Sequence, residues 1–165
     1  MMASKFMLRL VSAVALACGM VVATAVAQMP NPYGPPIGVD NAKKAAAPAI
    51  AEAVKNKWTV AVAIVDPDGV LVYYEKMDNT QVGSADIAIE KARTATRFKR
   101  PTKALQDALA AGGAGLRILG LPGVVPVEGG IPLVMDGKIV GAIGVSGMAS
   151  DQDSVCAKAG ADSIK

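Results

Sequence analysis

The chain has 165 residues, 52% of them apolar and only 4% aromatic. That is enough for one domain with a core of Val, Ile, Leu, Ala and Met, and it argues against disorder. Seventeen bases against 14 acids fall short of the concentrated basic patch that grips nucleic acid, so no nucleic-acid partner is expected. The chain has no histidine, which removes Ser-His-Asp and Cys-His catalysis and histidine-rich metal sites.

In chain order, Lys5 and Arg9 flank an apolar run from Leu10 to Val26, and Ala25-Val26-Ala27 has the small-x-small pattern of a processing site. Residues 1–27 read as a signal peptide, which predicts a periplasmic or secreted protein beginning at Gln28, without a membrane span after processing. A retained anchor is the alternative; a lipoprotein site at Cys18 fits less well, because alanine stands where leucine is usual. Processing would leave Cys156 alone, unable to form an intramolecular disulfide. It is expected to pack as a small hydrophobe on a helix, the alternative being a reactive or dimer-forming thiol.

Residues 28–39 include "QMPNPYGPPIG", with four prolines and two glycines in eleven residues, and predict an extended linker arm that can wrap a neighbouring subunit. The domain is expected over residues 40–165. Asp40 is placed to cap a helix running to about Asn56, with Pro48 kinking it or marking its first turn. Thr59 to Val65 and Val70 to Met77 read as a hairpin around Asp66-Pro67-Asp68-Gly69, the first strand apolar enough to be covered on both faces.

Ser84 is placed to cap the next helix, with Ala85, Ala88, Ile89, Ala92 and Ala95 on one face. At ~100° per residue Arg93 and Arg97 fall on the far side with Asp86 and Glu90, whereas Lys91 falls beside Ile87 and Phe98. A lysine on that stripe either binds an anion or snorkels to solvent. Pro101 opens a further helix that Gly112-Gly113 ends. Ile131 to Met135 and Lys138 to Val145 form a second hairpin around Asp136-Gly137. Gly141 and Gly144 inside its second strand require a close neighbour at the backbone. Gly129-Gly130 and Ser146-Gly147 meet at one end of that hairpin, where their amides can hold a carboxylate. Ser150 and Asp153 have the spacing of a capping box that opens the last helix.

Three ordered stretches, "VAIVDPDGVLVYYEKMD" (Val62 to Asp78), "AIEKARTATRFKRPTKAL" (Ala88 to Leu105) and "GGIPLVMDGKIVGAIGVSG" with the following "DQD" (Gly129 to Asp153), are similar to the GlcG/HbpS-like family. That family includes glycolate-operon proteins, secreted haem-binding proteins and the C-terminal domain of PduO-type corrinoid adenosyltransferases. The resemblance implies an α/β (α+β) fold, a mainly antiparallel sheet flanked by helices and similar to profilin and PAS domains, assembled as a homo-oligomer.

The resemblance also implies haem or another tetrapyrrole as the small-molecule ligand. The histidine that haem-binding relatives use as axial ligand has no counterpart here, so an iron contact would fall to Met77, Met148, Tyr73, Tyr74 or Cys156. Lys91, Arg93 and Arg97 are the candidate partners for haem carboxylates. Phe98, Gly129, Gly130, Ser146 and Gly147 complete the candidate ligand-binding set; no catalytic residue is assigned, and the metal ligand is open. The alternatives are a small hydroxy-acid or carboxylate-binding accessory protein, and an oligomeric structural or partner-binding protein.

Overall fold

A computed structural model describes residues 30–164, so residues 1–27 lie outside the described part. Strands β1 (Ala61–Val65), β2 (Leu71–Lys76), β3 (Gly130–Met135) and β4 (Lys138–Ser146) form one antiparallel sheet in the order β2-β1-β4-β3. Helices α1 (Val39–Asn56) and α4 (Ser150–Ala161) cover one face, and α2 (Ser84–Arg97) covers the other. Helix α3 (Thr102–Ala110) and a 3-10 helix at Gly113–Gly120 lead back to β3. This is the helix-flanked antiparallel sheet that the sequence predicts. The 3-10 helix is additional, lying where the double glycine reads only as an end.

The two faces differ in side-chain size. Val62 and Ile64 of β1 join Leu133, Ile143 and Val145 beneath α1 and α4, whereas Ala61, Ala63, Val65 and Ala142 meet Ala88, Ala92 and Ala95 of α2. Small residues on both sides let α2 lie close to the sheet. Gly144 is the closest point: a Cβ there would run into the Ala88 carbonyl oxygen and the Ala92 nitrogen. The close neighbour demanded by a glycine inside this strand is therefore helix backbone.

The turns follow local chemistry. Asp66 Oδ1 accepts the Asp68 and Val70 amides, each at 2.9 Å, an Asx-type closure of the first hairpin. Asp136 and Gly137 both have positive φ, 49° and 72°, as a two-residue hairpin loop requires.

Three helix starts differ from expectation. The residue before α1 is Gly38, with Asp40 inside the first turn, where its charge favours the helix dipole. Pro48 lies within α1. Ser84 does not cap α2, which starts after Gly83; it is buried, and its hydroxyl accepts from Ser146 Oγ at 3.4 Å. Helix α4 starts after Ala149, whose amide donates to Gln152 Oε1 at 3.3 Å, so Ser150 and Asp153 form no capping box. In each case a small residue or glycine precedes the first helical turn, and the polar side chain serves a tertiary contact or the turn itself.

The proline-rich arm is extended and bonded to the domain. The Ile139 amide donates to the Pro32 carbonyl, Gly34 donates to the Ile139 carbonyl, and Ile37 donates to the Val140 carbonyl, all at 2.8 Å. The arm thus runs beside the start of β4, before β1 takes up its pairing at Ala142. Among the described residues no helix is long and apolar enough to cross a membrane.

Candidate functional site

The candidate residues divide into two groups, with Met77 apart from both. The first lies at the open end of the β3–β4 hairpin. Lys91 leaves α2, and its ammonium donates to Asp153 Oδ2 at 2.7 Å and to the Val145 carbonyl at 3.0 Å. Both side chains are almost wholly buried, 1% and 2% exposed, so Lys91 does not snorkel. Asp153 belongs to the opposite helical layer; the pair therefore joins α2 to α4 past the end of the sheet.

Gly129 makes this passage possible. Its φ of +122° suits glycine, and a Cβ there would lie 2.9 Å from Lys91 Nζ and 3.0 Å from Asp153 Cβ. The surrounding amides are also engaged. Met148 N donates to Asp153 Oδ1 at 3.0 Å, and Gly130 N donates to Thr102 Oγ1 at 2.9 Å. The carboxylate held by the glycine-rich ends is thus Asp153's own. Burial pushes the Lys91 pKa down and the Asp153 pKa up; their mutual hydrogen bond opposes both shifts without reversing either.

Sequence reasoning grouped Lys91 with Gly129, Gly130, Ser146 and Gly147 in one candidate ligand-binding set, and the structure brings these residues together. The partner it missed is Asp153, whose capping-box spacing concealed a buried role.

The second group lies at the C-terminal end of α2. Arg93 Nη1 meets Glu90 at 2.6 Å, and its Nε donates to the Gly69 carbonyl at 3.0 Å, so Arg93 is committed to its own helix and the first hairpin. Arg97 is exposed and makes no ion pair with a described residue. Phe98 ends α2, half-buried.

Two residues that sequence reasoning missed adjoin this end. Tyr33, from the arm, donates its hydroxyl to the Thr96 carbonyl at 2.8 Å, and Lys99 Nζ sits 4.1 Å from the centre of its ring, a cation–π contact. Lys99 also borders an apolar groove of about 320 Å³, walled by Pro30, Pro101, Ile131, Pro132 and Val134. Arg97 borders a separate cleft of about 440 Å³ that Tyr33 also lines. Both volumes lie in the ~300–1,000 Å³ range of small-molecule sites. The arm walls both cavities.

Of the sulfur and phenol candidates, Met148 is exposed beside the first group, and the others are placed elsewhere. Met77 packs on the α1/α4 side of the core. Tyr73 donates to Glu75 at 2.8 Å. Cys156 is fully buried, its thiol pushed up to about 11 chiefly by burial, as a small core hydrophobe would be. Among the described residues no cluster of three or more His, Cys, Asp or Glu side chains is placed to hold a metal.

Comparison with known proteins agrees with this geometry. Protein GlcG of Escherichia coli (strain K12) is 41% identical over 95 residues, 58% of this chain and 69% of that protein. The crystal structure of a double mutant of HbpS from Streptomyces reticuli superposes with a TM-score of 0.74 at 29% identity, covering 95% of this chain and 99% of that one. A crystal structure of a PduOC:heme complex superposes with a TM-score of 0.71 at 27% identity, covering 79% and 96%. Residues 37–162 match the family described as haem degrading protein HbpS-like, and the chain belongs to that family.

Proposed function

We propose that this protein binds haem or a related tetrapyrrole in the apolar groove beside Lys99. The observation that carries the reading is the groove itself: aliphatic and proline side chains for a macrocycle face, with Lys99 in the lining to supply an ammonium for a haem carboxylate. The haem complex of a relative of the same fold supports it. The residues present fit the macrocycle and its carboxylate but supply no histidine for iron. Cys156 is buried in the core, and Met77 packs half-buried against it. Haem is therefore held by apolar contact and charge, with no axial histidine.

Titration of the processed chain with haemin, with albumin as a non-specific control, is expected to give a saturable, shifted Soret band. Lys99→Glu should weaken binding roughly tenfold, the size of one charge-assisted contact. A broad band that never saturates, or unchanged affinity in Lys99→Glu, would count against the groove. The proposal includes export as a periplasmic or secreted homo-oligomer, carrier or sensor accessory; N-terminal sequencing of the exported protein should start at Gln28.

A second reading is favoured by one observation. Arg97, which makes no ion pair with a described residue, borders a cleft of ligand size, which suits a small carboxylate.

A further inference from the structure

The Arg97 cleft carries a second charge that a simple carboxylate site does not need. Its lining is Tyr33, Gly34, Pro36, Pro67, Asp68 and Arg97. Asp68 is exposed at the tip of the first hairpin and, like Arg97, is in no ion pair with any described residue. The cleft therefore holds a cation and an anion apart, between walls made of two prolines and a tyrosine ring.

The space around the guanidinium is kept by backbone. Gly69 and Gly123, both at positive φ (+83° and +68°), flank it; a Cβ on Gly123 would lie 3.2 Å from Arg97 Nη1, and one on Gly69 3.5 Å from Nε. The adjacent arginine, Arg93, is absorbed by Glu90 and the Gly69 carbonyl, so it does not compete with Arg97 for a ligand. Asp68 is near enough to the Tyr33 phenol for its charge to add to the effect of burial and raise that group's pKa. The acid, the phenol ring and the guanidinium thus share one small space.

Opposite charges held apart across apolar walls complement a molecule that itself carries both charges at a short fixed separation. The geometry points to a zwitterionic ligand, an α-amino acid or similar small amino-carboxylate, with its carboxylate on Arg97 and its ammonium on Asp68. Guanidinium offers a planar fork that matches a carboxylate, and a carboxylate acceptor discriminates an ammonium from a hydroxyl by charge. This inference rests on the carboxylate reading of Arg97 and adds selection by Asp68.

The test is calorimetric titration of the processed protein with l-alanine and l-lactate, which differ in ammonium against hydroxyl at the same carbon. Alanine is expected to bind at least about tenfold more tightly than lactate. Asp68→Asn should bring the two together, and Arg97→Gln should abolish both. Both positions are exposed, and unchanged thermal melting would show that the variants are folded. Equal binding of alanine and lactate to wild type, lost in Arg97→Gln, would overturn the role of Asp68 while leaving a carboxylate site. Absence of saturable binding by either compound would overturn both, and the haemin titration is independent of either result.

Discussion

Lys91→Met is expected to cost about 3–5 kcal/mol of folding stability, because it leaves the Asp153 carboxylate buried without its counter-ion. Asp153→Asn should cost a comparable amount by stranding the ammonium. The double variant Lys91→Met/Asp153→Asn is expected to lie closer to wild type than either single one, since it removes both charges and leaves an amide oxygen to accept from Met148. Denaturant unfolding of the four proteins measures the coupling; singles within about 1 kcal/mol of wild type would show that the pair is not the link between layers described above.

The pH response carries a sign. In Lys91→Met the burial that raises the Asp153 pKa remains, and the ammonium that opposes it is gone. A carboxyl whose folded-state pKa lies above its unfolded value contributes stability at low pH, and that stability is lost as pH rises through the folded value. The variant's unfolding midpoint should therefore be higher in mildly acidic buffer than at neutral pH. A midpoint that fell on acidification would contradict this.

Gly144→Val is expected to leave no folded protein at ordinary temperature. The obstacle is the Ala88 carbonyl, which is helix backbone and cannot swing aside as a side chain does. Even Gly144→Ala must push α2 away from the sheet, loosening Ala88, Ala92 and Ala95 together, and should exceed about 4 kcal/mol. Gly120→Ala is the matched control: nothing lies within 4 Å of its added Cβ, and its effect should stay within about 0.5 kcal/mol. Circular dichroism melts of the three variants would decide the matter; a Gly144→Ala protein as stable as Gly120→Ala would mean the helix has room.

Features governed by local rules were legible in the sequence. Asp136-Gly137 marks its hairpin because both residues adopt positive φ, and the unbroken apolar run of β1 marks a strand buried on both faces. The glycines of β4 disclosed a close approach, and the alanine face of α2 supplied the other half of that contact. What depended on distant partners was hidden. Lys91 shows only its angular position on a helix, whereas its fate is set by Asp153, 62 residues later. Ser84 and Ser150 have capping chemistry, yet Gly83 and Ala149 precede the helices because tertiary packing set the first turns.

The arm shows the same limit. Prolines dictate extension, but composition does not reveal that Gly34 and Ile37 have amides in register with β4, nor that Tyr33 reaches Thr96. The cavities were invisible for that reason, since each takes one wall from the arm. Lys99 was equally hidden: one residue beyond Phe98, it lies past the helical projection that set Lys91 apart from Arg93 and Arg97.

The burial of Cys156 gives the molecule a built-in clock. With its thiol held near 11 and no solvent contact, this sulfur offers almost no thiolate to an alkylating reagent while the fold is closed. Cys156 is the sole cysteine of residues 28–165, so in that stretch the rate of its modification reports how often the α1/α4 layer opens. That rate should rise sharply in Lys91→Met, and in an oxidising compartment the same shielding keeps the cysteine from cross-linking one copy to another.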